Sequence, residues 1–202
     1  MRRRDVARSI LVLVAGLLLI STRAAAADRQ IRPFVGATFG GGTTFIDPEN
    51  AIGTPNVVYG ASAVFLGEVV GAEVDVADAP GFFQSGDTHN VLFSRVTTVS
   101  GNVVVAAPHR LTEYSLRPYL VGGAGLMRVR TSTAFAVFDV SAIIPHLDVG
   151  AGVIAFVTNR VGVCWDVRRF QSVGSHGDAS GLSFGDEHLS FWRATMAVAI
   201  RY

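Results

Sequence analysis

The amino-acid sequence predicts an all-β protein, an eight-stranded antiparallel up-and-down barrel, on three observations. Segments of roughly ten residues, in which apolar residues alternate with small or polar ones, recur between turn residues. The connections between these segments tend to alternate between long and short. Downstream of the N-terminus, the sequence contains neither a convincing long amphipathic helix nor an apolar run long enough for a membrane-spanning helix.

The last segment shows the alternation best. Met196, Val198 and Ile200 alternate with Thr195 and Arg193, and a strand directs successive side chains to opposite faces. Each segment of this kind therefore has one apolar face and one face of small or charged residues. The eight predicted strands are residues 32–42, 57–66, 69–77, 90–106, 117–130, 145–157, 161–171 and 189–202.

Strands four and five are less regular than the others. For the fourth we place Val99 and Val105 on the apolar face, with Ser100 and Asn102 opposite. A bulge near Arg95 would shift this parity. The parity of the fifth strand stays open on the sequence alone.

The ends of the apolar stripe indicate which environment it contacts. Trp192 and Tyr202 stand ten residues apart, which corresponds to about 23 Å along a strand tilted by about 45°, close to the apolar band of an outer membrane. Aromatic rings favour the two membrane interfaces, so we predict Trp165, Trp192 and Tyr202 as membrane-interface aromatics, and Tyr119 as a further candidate. The prediction is therefore a transmembrane barrel. The alternative is a soluble exported barrel whose apolar faces point inward and bind a small apolar ligand.

Residues 1–27 have the composition of a secretory signal peptide. Four arginines precede an apolar run that is too short to span a membrane, and an alanine stretch supplies the cleavage site, near Ala27. The mature domain is then residues 28–202. Cleavage removes five of the 17 basic residues and one of the 16 acidic ones, which changes the formal charge from +1 to about −3. This charge gives no reason to expect nucleic acid as a partner.

The faces opposite the apolar stripes carry charged residues, which a barrel would enclose in its lumen. Acidic and arginine side chains in a narrow lumen are expected to pair, because an unpaired buried charge is costly. A plug of salt bridges is the structural interpretation, and a gated ion path is the functional one. The predicted lumen charge network is Glu73, Asp75, Arg128, Asp148, Asp166, Arg168, Arg193 and Arg201.

Other reactive residues give weaker signals. Cys164 is the single cysteine, so no internal disulfide can form, and we expect it to pack inward. His176 and Asp178 are the nearest approach to a metal pair, and two ligands in a loop do not make a site. The sequence therefore predicts no metal and no cofactor. Several phenylalanines, among them Phe82, Phe83 and Phe184, fall in the long connections, where they either bind a partner or pack the loops.

In four stretches the sequence resembles the small bacterial outer-membrane β-barrel proteins related to the OmpA transmembrane barrel. The stretches are IRPFVGATFGGG, GEVVGAEVDV, LRPYLVGGAG and MAVAIRY. The resemblance implies the fold, an outer-membrane location, and insertion by the barrel assembly machinery, which recognises an aromatic C-terminal residue such as Tyr202. It does not imply a specific ligand.

The predicted function is that of a non-enzymatic integral outer-membrane protein with an envelope-structural role, or a surface-interaction role through long extracellular loops. Its expected partners are outer-membrane lipid, the assembly machinery and a surface ligand. The enzymatic alternative is a lipid A deacylase-like outer-membrane enzyme. His188 and Ser190 resemble the His-x-Ser pair of an outer-membrane lipid A deacylase family, but Phe191 replaces the asparagine that follows the serine in that family, and no acid is placed to orient the histidine.

Overall fold

The computed structural model describes residues 28–43, 55–82, 91–108, 116–133, 140–173 and 189–202. These residues form a closed barrel of eight antiparallel strands, in which each strand pairs with the next and the last pairs with the first. The fold class and all eight predicted strands are thus confirmed. The strands are β1 (Asp28–Thr43), β2 (Asn56–Leu66), β3 (Val70–Pro80), β4 (Val91–Ala106), β5 (Leu116–Thr133), β6 (Val140–Phe156), β7 (Val161–Ser172) and β8 (Leu189–Arg201).

The fifth connection is shorter than the sequence predicts. β5 continues to Thr133 and β6 begins at Val140, which leaves residues 134–139 between them. The threonines and serines before this gap resemble turn residues, but β-branched threonine also favours strands. Two register irregularities occur, between Phe39 and Gly42 in β1 and between Val91 and Phe93 in β4. The expected bulge near Arg95 is therefore displaced towards the start of β4.

The two faces of each strand have opposite chemistry, and the apolar face points outward. In β8, Met196, Val198 and Ile200 are exposed, whereas Arg193 is 2% exposed inside the barrel. The predicted parity of the fourth strand is confirmed as well, because Val99 is exposed and the residues flanking it face inward. Within the described part of the chain, no helix is long and apolar enough to cross a membrane.

The two ends of the barrel differ in their connections. The end that carries residues 67–69, 107–115 and 157–160 also receives both ends of the domain, and we call it the turn end. The opposite end, which receives the long connections after β1, β3 and β7, is the loop end. The interior at the loop end is apolar and aromatic. It contains Phe82, Met127, Phe170, Leu189 and Phe191.

At the turn end, an arginine joins two connections. The Arg117 guanidinium donates to the carbonyl of Ala107 at 2.8 Å and to that of Gly67 at 3.2 Å. Arg201 lies beside Asp28, with 2.7 Å between the nitrogen and the carboxylate oxygen, and joins β8 to β1. Barrel closure is therefore supported by side chains as well as by the backbone ladder.

Candidate functional site

The middle of the lumen is organised around Arg168 of β7. Its guanidinium makes two contacts with Asp166, Nε to Oδ1 at 2.7 Å and Nη2 to Oδ2 at 3.0 Å. Residues i and i+2 share a strand face, so the sequence alone brings this pair together. Nη1 also lies 2.8 Å from Glu73 Oε1, an ion pair whose angle is not that of a hydrogen bond. One arginine thus compensates two buried carboxylates.

Asn102 and Asp148 extend this group across the lumen. With its amide oxygen oriented towards Arg168, Asn102 accepts a hydrogen bond from Nη1 at 2.9 Å and donates one to Asp148 Oδ1 at 3.1 Å. This orientation is assigned from the surrounding donors and acceptors. Asp148 Oδ2 is itself 4.0 Å from Arg168 Nη1. The asparagine therefore bridges a cation and an anion that are too far apart for a direct hydrogen bond.

A second ion pair joins Arg193 of β8 to Asp75 of β3, at 2.9 Å. The two residues are 118 positions apart in the chain, and both are at most 2% exposed. The Arg193 guanidinium also lies over the rings of Phe34 and Phe170, at 5.0 and 4.7 Å from their centroids. Aromatic faces stabilise a cation in a dry environment. This pair therefore connects the ionic middle of the lumen to the aromatic loop end.

Tyr119 lies inside the barrel, so its assignment as a membrane-interface candidate is wrong. It is 3% exposed, and its hydroxyl donates to Asp166 Oδ2 at 2.8 Å and lies 3.1 Å from Cys164 Sγ. Its position depends on Gly152, the residue opposite it on β6, where an added Cβ would overlap the tyrosine ring. A glycine on the neighbouring strand thus makes room for the ring. Cys164 packs inward, as predicted.

The buried charges balance. Among the described residues, four acidic side chains, Glu73, Asp75, Asp148 and Asp166, and four arginines are buried. Two of these arginines, Arg32 and Arg117, were not among the predicted lumen residues. Arg32 donates to Gln30 at 2.9 Å and lies over the Tyr119 ring. The signal for Arg32 was present, because it alternates with the outward-facing Ile31 and Val35.

The other predicted lumen residues divide into two groups. Glu73, Asp75, Asp148, Asp166, Arg168 and Arg193 lie in the lumen, and Arg201 lies at its turn end, partly exposed. Arg128 lies on the outer face, and its lumen assignment is wrong. The alternation along β5 continues unbroken from Tyr119 through Met127 and Val129, which are buried, so even-numbered residues point outward there.

The predicted interface aromatics occupy different heights on the outer surface. Trp192 faces outward near the loop end, opposite Phe39 of β1, and Tyr202 is exposed at the turn end. Trp165 also faces outward, but it pairs with Met196, near the middle of the stretch between the other two. Trp165 therefore lies further from the barrel ends than its prediction as an interface residue implies.

The reactive groups of the described residues do not form an accessible catalytic site. Ser100 Oγ lies 2.9 Å from His146 Nε2, and Asp148 Oδ1 lies 3.9 Å from the same nitrogen. A catalytic triad needs the acid on the other ring nitrogen, and His146 Nδ1 has no hydrogen-bond partner. All three residues are buried. No group of His, Cys, Asp and Glu in the described part of the chain is arranged to hold a metal.

The enzymatic alternative depends mainly on a histidine that the structure does not describe. His188 lies outside the described residues, as do residues 1–27, His176, Asp178, Phe83 and Phe184. Ser190 is described, and it faces outward at the loop end of β8, partly buried. Phe82 packs inside the barrel, with its ring centroid 5.0 Å from that of Phe191, so it serves as packing and not as an exposed contact.

Comparison with known proteins identifies the fold and little more. No protein-family model matches the sequence, and no curated protein matches it. Among solved structures, the Neisserial surface protein A (NspA) has a TM-score of 0.62 at 12% identity, covering 87% of this chain and 97% of that one. The N-terminal β-barrel domain of Pseudomonas aeruginosa OprF has a TM-score of 0.55 at 12% identity, covering 87% and 98%. The outer membrane protein OprG from the same organism has a TM-score of 0.53 at 10% identity, covering 88% and 96%.

These structures define the class of fold. The chain has the eight-stranded barrel fold of small outer-membrane proteins, as the resemblance in its sequence predicted.

Proposed function

We propose that this protein is a non-enzymatic integral protein of the bacterial outer membrane. The observation that carries the proposal is the outward-facing apolar surface, which includes Val74, Leu120, Val149, Trp165 and Val198, each exposed by 46% or more. In water such a surface is unfavourable, whereas acyl chains solvate it. A closed ladder leaves no strand edge unpaired in the hydrocarbon, which is the condition for strands to span a membrane.

The filled lumen argues against a soluble ligand-binding barrel. Such a barrel would place its apolar stripes inside, but Glu73 and Arg193 occupy the interior, and Val198 and Ile200 the outside. The same filling argues against a constitutive pore. A narrow eight-stranded barrel has room for its inward side chains and little else, and here arginines, carboxylates and aromatic rings occupy it.

The role that follows is structural, or one of surface interaction. The described residues fill the lumen and present no accessible catalytic group, which supports a role in lateral contacts within the membrane and in the display of loops. The long connections at the loop end are the proposed interaction surface, since binding residues are often found on loops held by a rigid scaffold. The strand β8 and the aromatic Tyr202 that follows it are the proposed contact with the barrel assembly machinery.

Membrane fractionation tests the location. We expect the mature chain in the outer-membrane fraction. We also expect it to migrate more slowly on a gel after heating, because a small barrel stays folded and compact in detergent until heat unfolds it. Recovery as a soluble protein without a heat-dependent shift would contradict the proposal. Planar-bilayer recording tests the closed lumen, for which we expect no steady conductance; a constant open channel would contradict it.

The enzymatic alternative has its own test. Replacing Ser190 with alanine and comparing the lipid A acylation pattern with that of the parent strain separates the two functions. We expect an unchanged pattern. Loss of a deacylated species in the Ser190→Ala strain would establish the enzyme and overturn the non-enzymatic role.

A further inference from the structure

The outer surface carries a group of arginines at the loop end of β4 and β5. Arg95, Arg128 and Arg130 face outward, and we call them the outer arginine cluster. Within the described part of the chain, the ion pair shown for the cluster is that of Arg95 with Asp78 of β3, whose carboxylate lies 3.3 Å from Arg95 Nε and accepts a hydrogen bond from Thr97 at 2.8 Å. Counted together with Asp78, the three described arginines leave two positive charges in excess.

The register places like charges directly opposite one another. Arg95 pairs with Arg130 across the β4–β5 ladder, and Arg128, two residues from Arg130, is opposite Thr97. Side chains directly opposite in an antiparallel pair have Cβ atoms about 4.5–5.5 Å apart, and like charges in this position are destabilising. Asp78 also accepts a hydrogen bond from Tyr59 at 3.1 Å, so its carboxylate is shared among several donors. An external anion would relieve the remaining repulsion.

The surface directly below the cluster is apolar. The next outward-facing row after Thr97 and Arg128, two residues further towards the turn end, consists of Val76, Val99 and Leu126. These side chains lie side by side on β3, β4 and β5, and each is exposed by 45% or more. A ligand bound along this surface would contact apolar side chains towards the middle of the barrel and arginine side chains towards the loop end. The complementary molecule is amphipathic, with acyl chains below and anionic groups at the level of the arginines.

We propose that the outer arginine cluster binds the phosphate groups of a phosphorylated glycolipid of the outer leaflet, of the lipid A type. The inference rests on the proposed outer-membrane function, which places the loop end at the outer leaflet. Guanidinium groups bind phosphate through paired, charge-assisted hydrogen bonds. Arg128 and Arg130 bind the phosphate, Arg95 is held in place by Asp78, and the valine and leucine side chains below contact the acyl chains.

Binding to the folded mature protein in zwitterionic detergent tests this assignment. The probes are diphosphorylated lipid A, the same lipid with its phosphates removed, phosphatidylglycerol, and inorganic pyrophosphate, each titrated by calorimetry. The test variant is the double substitution Arg128→Gln with Arg130→Gln. The matched control is Arg169→Gln, because Arg169 also faces outward near the loop end, where it lies over the Trp192 ring at 5.4 Å. Heat-dependent gel migration verifies that each variant is folded.

We expect diphosphorylated lipid A to bind the parent protein and the Arg169→Gln control equally, and the double variant roughly tenfold more weakly. Removal of the phosphates should give a comparable loss. Unchanged affinity in the double variant, or an equal loss in the control, would overturn the assignment. Equal binding of phosphatidylglycerol would overturn the glycolipid in favour of any anionic lipid, and equal binding of pyrophosphate would overturn the lipid altogether. Fractionation tests the proposed function separately, so the two failures are distinguishable.

Discussion

The two faces of β7 show how one strand meets two environments. Asp166 and Arg168 point into the lumen and hold each other at 2.7 Å, whereas Trp165 and Val167 point outward and are exposed by 47% and 43%. In a soluble domain the exposed residues would form the core and the ion pair would meet water. The reversal supports the proposed membrane location, in which the outer face of the strand meets lipid and the inner face meets the charged side chains of the lumen.

This difference assigns distinct energetic roles to the two faces. In the proposed membrane, each outer side chain gains by contacting acyl chains and acts largely independently of its neighbours. Inside, the charges are removed from water, so the stability of each one depends on its partner. The loss of one partner therefore changes the energy of the whole buried network. Substitutions on the inner face should therefore be strongly non-additive, and those on the outer face should depend mainly on depth.

The largest effect is expected for a broken lumen pair. Replacing Arg193 with methionine leaves Asp75 buried without its partner, and the free energy of unfolding should fall by about 3–5 kcal/mol. Adding Asp75→Leu to the same chain should recover most of that loss, because no buried charge is then left unpaired. Urea-induced unfolding in lipid vesicles measures both variants. A double variant as unstable as Arg193→Met alone would contradict the pairing.

A charge on the outer face should have the next largest effect. Met196→Arg places a cation near mid-height on the lipid side, and the expected loss is about 2–4 kcal/mol. The matched control is Val161→Arg at the turn end, where the loss should be about 0–1 kcal/mol. The same unfolding assay applies to both. Equal small losses at the two positions would indicate that the outer face contacts water.

A smaller effect is expected for the glycine opposite Tyr119. In Gly152→Ala the new methyl group overlaps the tyrosine ring and lies 2.6 Å from the Trp165 backbone carbonyl oxygen, and overpacking of this kind costs about 1–3 kcal/mol. Gly101→Ala is the control, since an added Cβ there meets no atom within 4 Å, and its effect should stay within about 0.5 kcal/mol. Equal effects of the two substitutions would argue that neither the Tyr119 ring nor the Trp165 carbonyl crowds position 152.

The smallest effect is expected for Tyr119→Phe. This change removes the hydroxyl that donates to Asp166 while Arg168 continues to compensate the carboxylate. The expected loss is about 0.5–1.5 kcal/mol, the net contribution of one hydrogen bond. In combination with Gly152→Ala the losses should not add, because the added methyl group crowds the same hydroxyl that Tyr119→Phe removes. Full additivity in a double-mutant cycle would contradict the coupling.

How far the sequence predicts the fold depends on how different the two faces of a strand are. Over residues 70–77 of β3 and 192–200 of β8 the inner face is charged or small and the outer face is apolar, so alternation alone orients them. In β5 both faces carry apolar residues, such as Met127 inside and Leu126 outside, and the alternation no longer distinguishes them. That is why Arg128 was assigned to the lumen and Tyr119 to the surface.

The contacts of the site were less predictable than its composition. Alternation assigned Asp75 and Arg193 to the same lumen, but it cannot state that they pair across 118 residues of sequence, because that depends on strand register and barrel closure. The role of Gly152 was hidden for the same reason, since its partner Tyr119 is brought opposite it by the β5–β6 register. Within one strand, by contrast, the Asp166–Arg168 pair follows from its spacing alone.

The central claim, that the apolar outer face contacts acyl chains, is tested most directly by the fluorescence of Trp165. In the Trp192→Phe variant, Trp165 is the single tryptophan, and it faces outward near mid-height. In vesicles, bromine atoms placed deep in the acyl chains should quench it strongly, and iodide in the buffer should have little effect. Strong quenching by iodide, with no response to brominated chains, would contradict the account.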